Sequence, residues 1–142
     1  MNKKQKVIFI CTGNSCRSQI AEGFLRSITG NLFDVYSAGS HPSKVHPNAV
    51  SVMRELNIDI SEHTSESIDY YINLGINIVI TVCDNANQVC PIFPGNVERI
   101  NWNITDPFRG WKTKKNDLNN FRKTKDIIKE HIIQLINNLE KK

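Results

Sequence analysis

Val7-Ile8-Phe9-Ile10-Cys11-Thr12-Gly13-Asn14-Ser15-Cys16-Arg17-Ser18 sets an unbroken apolar run against a short polar turn, and beyond Arg17 the pattern changes period. Residues 6–10 read as a short buried strand, whereas Ile20, Ala21, Phe24, Leu25 and Ile28 recur at helical spacing. The local order is therefore strand, turn, helix. Gly30-Asn31 end the helix, and Phe33-Asp34-Val35-Tyr36 form a second strand that runs into Ser37-Ala38-Gly39. A crossover of this kind makes the two strands parallel neighbours.

The same alternation continues outward. Pro47 suits the first turn of a helix that begins at His46-Pro47, carries Ala49, Val52, Met53 and Leu56 as its apolar stripe, and closes near Asn57. A short helical piece is expected over residues 66–74, a β-branched strand over 77–82 stopping at Cys83, and a last strand over 97–102. Past Asp106-Pro107, a polar segment leads into a long helix with Phe121, Ile128, Ile132, Leu135, Ile136 and Leu139 on its apolar face. This pattern predicts an α/β fold: one domain over residues 1–142, built as an open four-stranded parallel sheet with helices on both faces. Such sheets bind ligands beyond the carboxyl ends of their strands, where Cys11, Ser37, Cys83 and Asp106 fall.

Composition agrees with a globular chain and narrows its setting. At 142 residues, 39% apolar and 23% charged, one core is affordable and no second domain is needed. The apolar run at residues 7–10 is far too short for a signal or a membrane span, so a cytoplasmic protein is expected. The net charge of +4 comes partly from the Lys/Arg-rich stretch at residues 109–125. Aromatic residues interleave poorly there, which favours a solvated face over a nucleic-acid patch. Cysteines stand at 11, 16, 83 and 90, and in a cytosolic chain they point to thiol chemistry or metal binding. The C-x4-C and C-x6-C spacings fit a zinc knuckle badly.

The turn itself has the makings of an oxyanion site. A strand-to-helix turn through Thr12, Gly13, Asn14, Ser15 and Cys16 can aim successive backbone N–H groups inward at the positive helix end. Gly13 and Asn14 tolerate the positive φ that such a turn needs. Arg17 adds a planar fork for two oxygens of a tetrahedral anion. The same field favours the thiolate of Cys11, and the Ser18 hydroxyl is placed to donate to it. Cys11 is thus the candidate nucleophile. Cys16 is read as a loop member that packs rather than reacts, and His41, His46 and His63 as loop and capping residues.

CTGNSCRS resembles the phosphate loop of the low-molecular-weight tyrosine phosphatase superfamily, and Asp106-Pro107 matches its general-acid loop. Within that superfamily the chain is also similar to the thioredoxin-coupled arsenate reductases. It shares with them Gln19 after Arg-Ser, the Ser37-Ala38-Gly39 and His63-Thr64-Ser65 segments, and C-x6-C-P from Cys83 through Cys90. The aromatic residues with which phosphatases sandwich phosphotyrosine are not evident, since Phe108-Arg109 follow the acid and residues 40–48 hold no aromatic.

The resemblance implies reduction of arsenate to arsenite by a relay. Cys11 attacks, Asp106 assists the leaving oxygen, a Cys11–Cys83 disulfide forms, and Cys90 moves it to Cys83–Cys90 for reset by thioredoxin or another dithiol reductant. It implies no required cofactor, with potassium as a stabilising ion held by residues matching Asn14, Glu22, Ser37 and Glu66, the last usually aspartate. A monomer is expected, with no nucleic-acid or membrane partner. Two alternatives stay open: a low-molecular-weight tyrosine phosphatase using Cys11, Arg17 and Asp106, and a non-catalytic redox sensor. Trp102 and Trp111 flank the acid loop, either as packing or as recognition residues.

Overall fold

The computed structural model describes residues 4–82, 90–113 and 115–140. Its elements are β1 (Gln5–Cys11), α1 (Arg17–Thr29), β2 (Phe33–Gly39), α2 (Pro47–Arg54), a 3-10 turn (Ile68–Tyr70), β3 (Ile78–Thr81), β4 (Glu98–Asn101) and α3 (Lys115–Glu140). The strands form one four-stranded sheet in the order β2-β1-β3-β4, and every pairing is parallel. All four strands therefore end at the same edge, and that edge carries the site.

β1 lies at the centre of the sheet, which explains its continuous apolar run. Its side chains alternate between two clusters. Val7, Phe9 and Cys11 face a large core shared with Ile20, Phe24, Val52, Met53, Phe121, Ile128 and Ile132 from α1, α2 and α3. Ile8 and Ile10 face a smaller cluster with Ala38, Ile68, Ile76, Val79, Cys90 and Phe93. The helical cover is unequal: the three long helices share one face, and the described cover of the other is the 3-10 turn with residues 90–97. Phe9 meets Trp102 at 5.7 Å in the large core, and Trp102 in turn stacks on His131. Trp102 is a packing residue. The edge strand β4 exposes Glu98 and Arg99, charges that discourage pairing with another sheet.

Periodicity overstated the apolar stripes of two helices. Ile28 and Leu56, both assigned to apolar stripes, are exposed. α2 stops at Arg54, and Asn57 takes a left-handed φ of 62° that turns the chain toward Ile58, whose N–H returns to the Met53 carbonyl. The helical piece expected over 66–74 shrinks to the 3-10 turn at Ile68–Tyr70, capped by the Ser67 hydroxyl. The start of α2 follows the expectation, with Pro47 in the first turn and the His46 ring accepting from the Asn48 N–H. No helix among the described residues is long and apolar enough to cross a membrane.

Candidate active site

Cys11 closes β1 and is almost fully buried, at 3% exposure. The chain then turns through residues 12–16 and enters α1 at Arg17. The turn is held from outside by its carbonyls. Those of Thr12, Gly13 and Ser15 accept the backbone N–H groups of His41, Ser43 and His46; that of Cys16 accepts Ile20 N–H; that of Asn14 accepts the Gln19 amide and the Ser65 hydroxyl. In a trans peptide the N–H points opposite its carbonyl, so the N–H groups of residues 13–17 turn inward over Cys11. Gly39 is what lets the neighbouring strand come this close: a Cβ there would lie 2.6 Å from the Thr12 carbonyl oxygen and 2.9 Å from Asn14 N.

Asn14 is the hub. It adopts φ 49°, and its N–H donates to Cys11 Sγ at 3.2 Å. Its fully buried side chain is oriented by the Glu66 N–H, which donates to Oδ1. Nδ2 is then free to donate to Ser18 Oγ at 2.8 Å and Ser37 Oγ at 3.0 Å. Ser18 Oγ also lies 2.8 Å from Cys11 Sγ, and when Cys11 attacks as a thiolate the hydrogen between them is that of the Ser18 hydroxyl. The Asn14 N–H and the Ser18 hydroxyl thus both reach the sulfur. Cys16, by contrast, is pushed up to about 12, chiefly by burial, so it stays a thiol and packs, as expected of it.

Arg17 is 6% exposed and lies at the far side of the turn. Nη1 donates to the Ile104 carbonyl at 2.8 Å and Nη2 pairs with Asp106 Oδ2 at 3.3 Å. Its Nε is buried without a partner, a donor placed for an anion's oxygen. Asp106 is half exposed and its other oxygen accepts the Phe108 N–H at 3.0 Å. A cavity of about 240 Å³ opens above Cys11 between Arg17 and Asp106, with Phe108 and Trp111 in its wall. The site thus does have aromatic neighbours. Gly110, at φ 97°, turns the chain so that Trp111, distant from Asp106 in the sequence, reaches the mouth.

A buried cysteine at a strand end, an arginine beside it and an aspartate paired to that arginine thus share one cavity. Residues 6–142 match the family described as low molecular weight phosphotyrosine protein phosphatase. The chain belongs to the low-molecular-weight phosphotyrosine protein phosphatase family. Among its relatives, an arsenate reductase of Halalkalibacterium halodurans is 46% identical over 132 residues, covering 93% of this chain and 94% of that protein. A solved arsenate reductase in its oxidized state is similar at TM-score 0.81 and 32% identity, over 94% of this chain and 98% of that one. The thioredoxin-dependent arsenate reductase of Corynebacterium glutamicum is similar at TM-score 0.79 and 25% identity, over 98% of this chain and 63% of that one.

Within this phosphatase-family fold, Cys11, Arg17 and Asp106 come together around one cavity, with Thr12, Gly13, Ser15 and Cys16 also lining it and the buried Ser18 and Asn14 bonded to Cys11 Sγ. Cys90 does not join them. It sits in the small cluster on the opposite face of the sheet, its Sγ donating to the Pro91 carbonyl at 3.5 Å. Burial pushes its thiol up, partly countered by Arg99. Cys83 lies outside the described residues.

The residues expected around potassium are neighbours, but their oxygens are committed. Asn14 Oδ1 accepts from Glu66 N–H, the Ser37 hydroxyl donates to Glu22 Oε1, Glu66 Oε1 accepts from Thr64, and Arg26 holds Glu22 Oε2 at 2.7 Å. Arg26 also donates to the Val35 carbonyl. Arg26 already sets a guanidinium against Glu22 in this cluster, and four hydroxyl or amide hydrogens, from Glu66 N–H, Asn14 Nδ2, Ser37 and Thr64, point at the four residues.

Sequence reasoning used Gln19 only as a marker of resemblance. Its Nε2 bridges the Asn14 and Thr64 carbonyls, and Oε1 accepts from His63 Nδ1 at 3.0 Å. Burial pulls His63 down against the opposing influence of Glu22, so the ring is held neutral with its proton on Nδ1. His46 was likewise missed as more than a cap; its ring packs against Phe108 and Trp111 of the acid loop.

Proposed function

We propose that this protein reduces arsenate to arsenite, using Cys11 as nucleophile and Cys83 and Cys90 to carry the oxidising equivalents away. The observation that carries the proposal is the sulfur of Cys11, within hydrogen-bond reach of the Asn14 N–H and the Ser18 hydroxyl beneath a cavity whose arginine keeps one buried N–H without a partner among the described residues. The names of the relatives support the choice of arsenate, and the name of the Corynebacterium glutamicum neighbour supports a thioredoxin-type reductant.

Arsenate has the charge and shape of the cradle, with N–H groups 13–17 and Arg17 on its oxygens. The Cys11 thiolate forms an S–As bond as one oxygen leaves, protonated by Asp106, which stands 3.3 Å from Arg17 at the cavity's outer side. The Cys83 thiolate then attacks Cys11 Sγ. The S–As bonding pair stays on arsenic, which departs as arsenite, two electrons reduced, and a Cys11–Cys83 disulfide remains. Cys90 next attacks Cys83, returns Cys11 to its thiolate and leaves Cys83–Cys90, which an external dithiol reduces. Because Cys90 starts on the opposite face of the sheet, its segment must leave the small cluster for this exchange. No potassium ion enters any step.

The test is a coupled assay in which arsenate drives NADPH consumption through thioredoxin reductase and thioredoxin. Cys90→Ser should stop multiple turnover after one equivalent of arsenite while leaving slow aryl phosphate hydrolysis intact. Undiminished turnover by that variant would remove Cys90 from the relay. Residual aryl phosphate hydrolysis is favoured by one observation, the Phe108 and Trp111 wall of the cavity, against which an aryl ring can pack.

A further inference from the structure

Among the described residues, the acid loop is tied to the rest of the protein by the Arg17–Asp106 pair, by packing of Phe108 against the large core, and by several contacts from one side chain, His46. Asp106 reaches Arg17, and Arg109 folds back onto the carbonyls of Asp106 and Phe108, so its bonds brace the loop only against itself. His46, by contrast, is fully buried and belongs to the segment that anchors the oxyanion turn. Its N–H donates to the Ser15 carbonyl at 3.0 Å. Its ring Nδ1 accepts from Asn48 N–H, so the proton must sit on Nε2, which donates to the Gly110 carbonyl at 2.8 Å. The ring also stacks on Trp111 at 5.2 Å and 17°, meets Phe108 edge-on at 5.6 Å, and rests on Phe121 of α3 at 4.8 Å. Lys44, from the same segment, holds its ammonium 4.7 Å from the Trp111 ring centre.

We propose that His46 is a positioning residue that docks the acid loop onto the oxyanion turn, through its Nε2–H to Gly110 and its stack on Trp111, and so sets where Asp106 stands above Cys11. The proposal rests on the reading of Asp106 as the acid. His46 touches no reacting atom. Its effect passes through residues 106–111, and the left-handed φ of 97° at Gly110 is what presents that carbonyl to the ring.

Two replacements separate docking from folding. His46→Asn keeps an acceptor at the Nδ1 position, and asparagine is a strong helix cap, but it removes both the Gly110 bond and the ring stack. His46→Gln can present an N–H near the Nε2 position. The reaction that reads the acid is hydrolysis of aryl phosphates of differing leaving group: phenolate needs protonation, whereas dinitrophenolate leaves unaided. In His46→Asn, phenyl phosphate hydrolysis should fall about tenfold with dinitrophenyl phosphate changed less than about twofold, and His46→Gln should recover part of the loss. Iodide quenching of Trp111 fluorescence should rise in His46→Asn and return toward wild type in His46→Gln; Trp102 is buried and contributes little to it.

Asp106→Asn is measured alongside. If it shows the same leaving-group dependence and His46→Asn does not, the positioning role is overturned while the acid assignment stands. If Asp106→Asn shows no leaving-group dependence, the acid assignment fails, and unchanged quenching in His46→Asn would then overturn the docking as well. An equal fall for both esters in His46→Asn, with unaltered quenching, would mark a merely structural residue.

Discussion

Cys11 and Cys90 are the same side chain in two opposite settings. Cys11 ends the central strand on the helix-covered face, under the Asn14 N–H, which donates to its sulfur, and beside the Ser18 hydroxyl. Cys90 lies on the other face among Ile8, Ile10, Ile76 and Phe93, where burial holds it protonated and its own S–H points at a carbonyl. Both are buried, so burial alone does not decide reactivity. What differs is the direction of the hydrogen bonds: the first sulfur receives one and the second gives one.

The largest test of that contrast is to remove the receiving sulfur. Cys11→Ser should reduce both arsenate turnover and aryl phosphate hydrolysis to background, read by NADPH consumption and phosphate release. Removing the cradle's cation comes next. Arg17→Gln should lower kcat/KM for either substrate by roughly 100- to 1,000-fold, the usual cost of losing a donor aimed at a developing oxyanion. Ser18→Ala deletes one of the two bonds to Cys11 Sγ and should cost about tenfold in kcat, as a hydrogen bond to a charged group is worth about 1.5 kcal/mol or more. An unchanged Ser18→Ala rate would show that Asn14 N–H suffices, and the contrast with Cys90 would rest on the backbone alone.

The smallest effect concerns Cys16, which shares the loop with Cys11 but the fate of Cys90. Burial raises it from 9.0 to about 12, so the folded chain keeps a proton that the unfolded chain releases. Stability that is complete below pH 9.0 should therefore decline as pH climbs from there toward about 12. Denaturation curves of wild type and Cys16→Ala between pH 8 and 10 should diverge by about 1 kcal/mol, the wild type losing more. Parallel curves would mean that Cys16 ionises freely in the folded loop.

Much of this was legible from residue types. The strand-turn-helix through Arg17, the second strand and the long last helix followed from period changes, and Cys11 at a strand end, Arg17 at the helix start that follows it and Asp106 beyond the last strand meet at one cavity. Less was legible where main chain meets main chain. The bonds from His41, Ser43 and His46 N–H to the loop carbonyls leave no side-chain signature. Ile28 and Leu56 fit the apolar period yet are exposed, because periodicity marks a face without saying whether anything packs against it at a helix end. The aromatic wall was only half legible: Phe108 and Trp111 stand near Asp106 in the sequence, but the turn at Gly110 that brings Trp111 to the mouth leaves no residue-type signal of which way its ring faces. The committed oxygens around Arg26 were hidden for a similar reason, since a list of ligand-type residues says nothing about which hydrogens already point at them.

The support beneath the oxyanion turn has a bearing on how freely this protein can be altered. His41 and Ser43 hold the turn through their backbone N–H groups, and Ser43 adds its hydroxyl to the Gly13 carbonyl, while the side chains of His41 and Pro42 lie at the surface. A library that varies those two side chains, with proline kept out of 41 and Ser43 retained, would reshape the entrance without loosening the cradle beneath it. Selection for a bulkier or differently charged oxyanion ester could begin there.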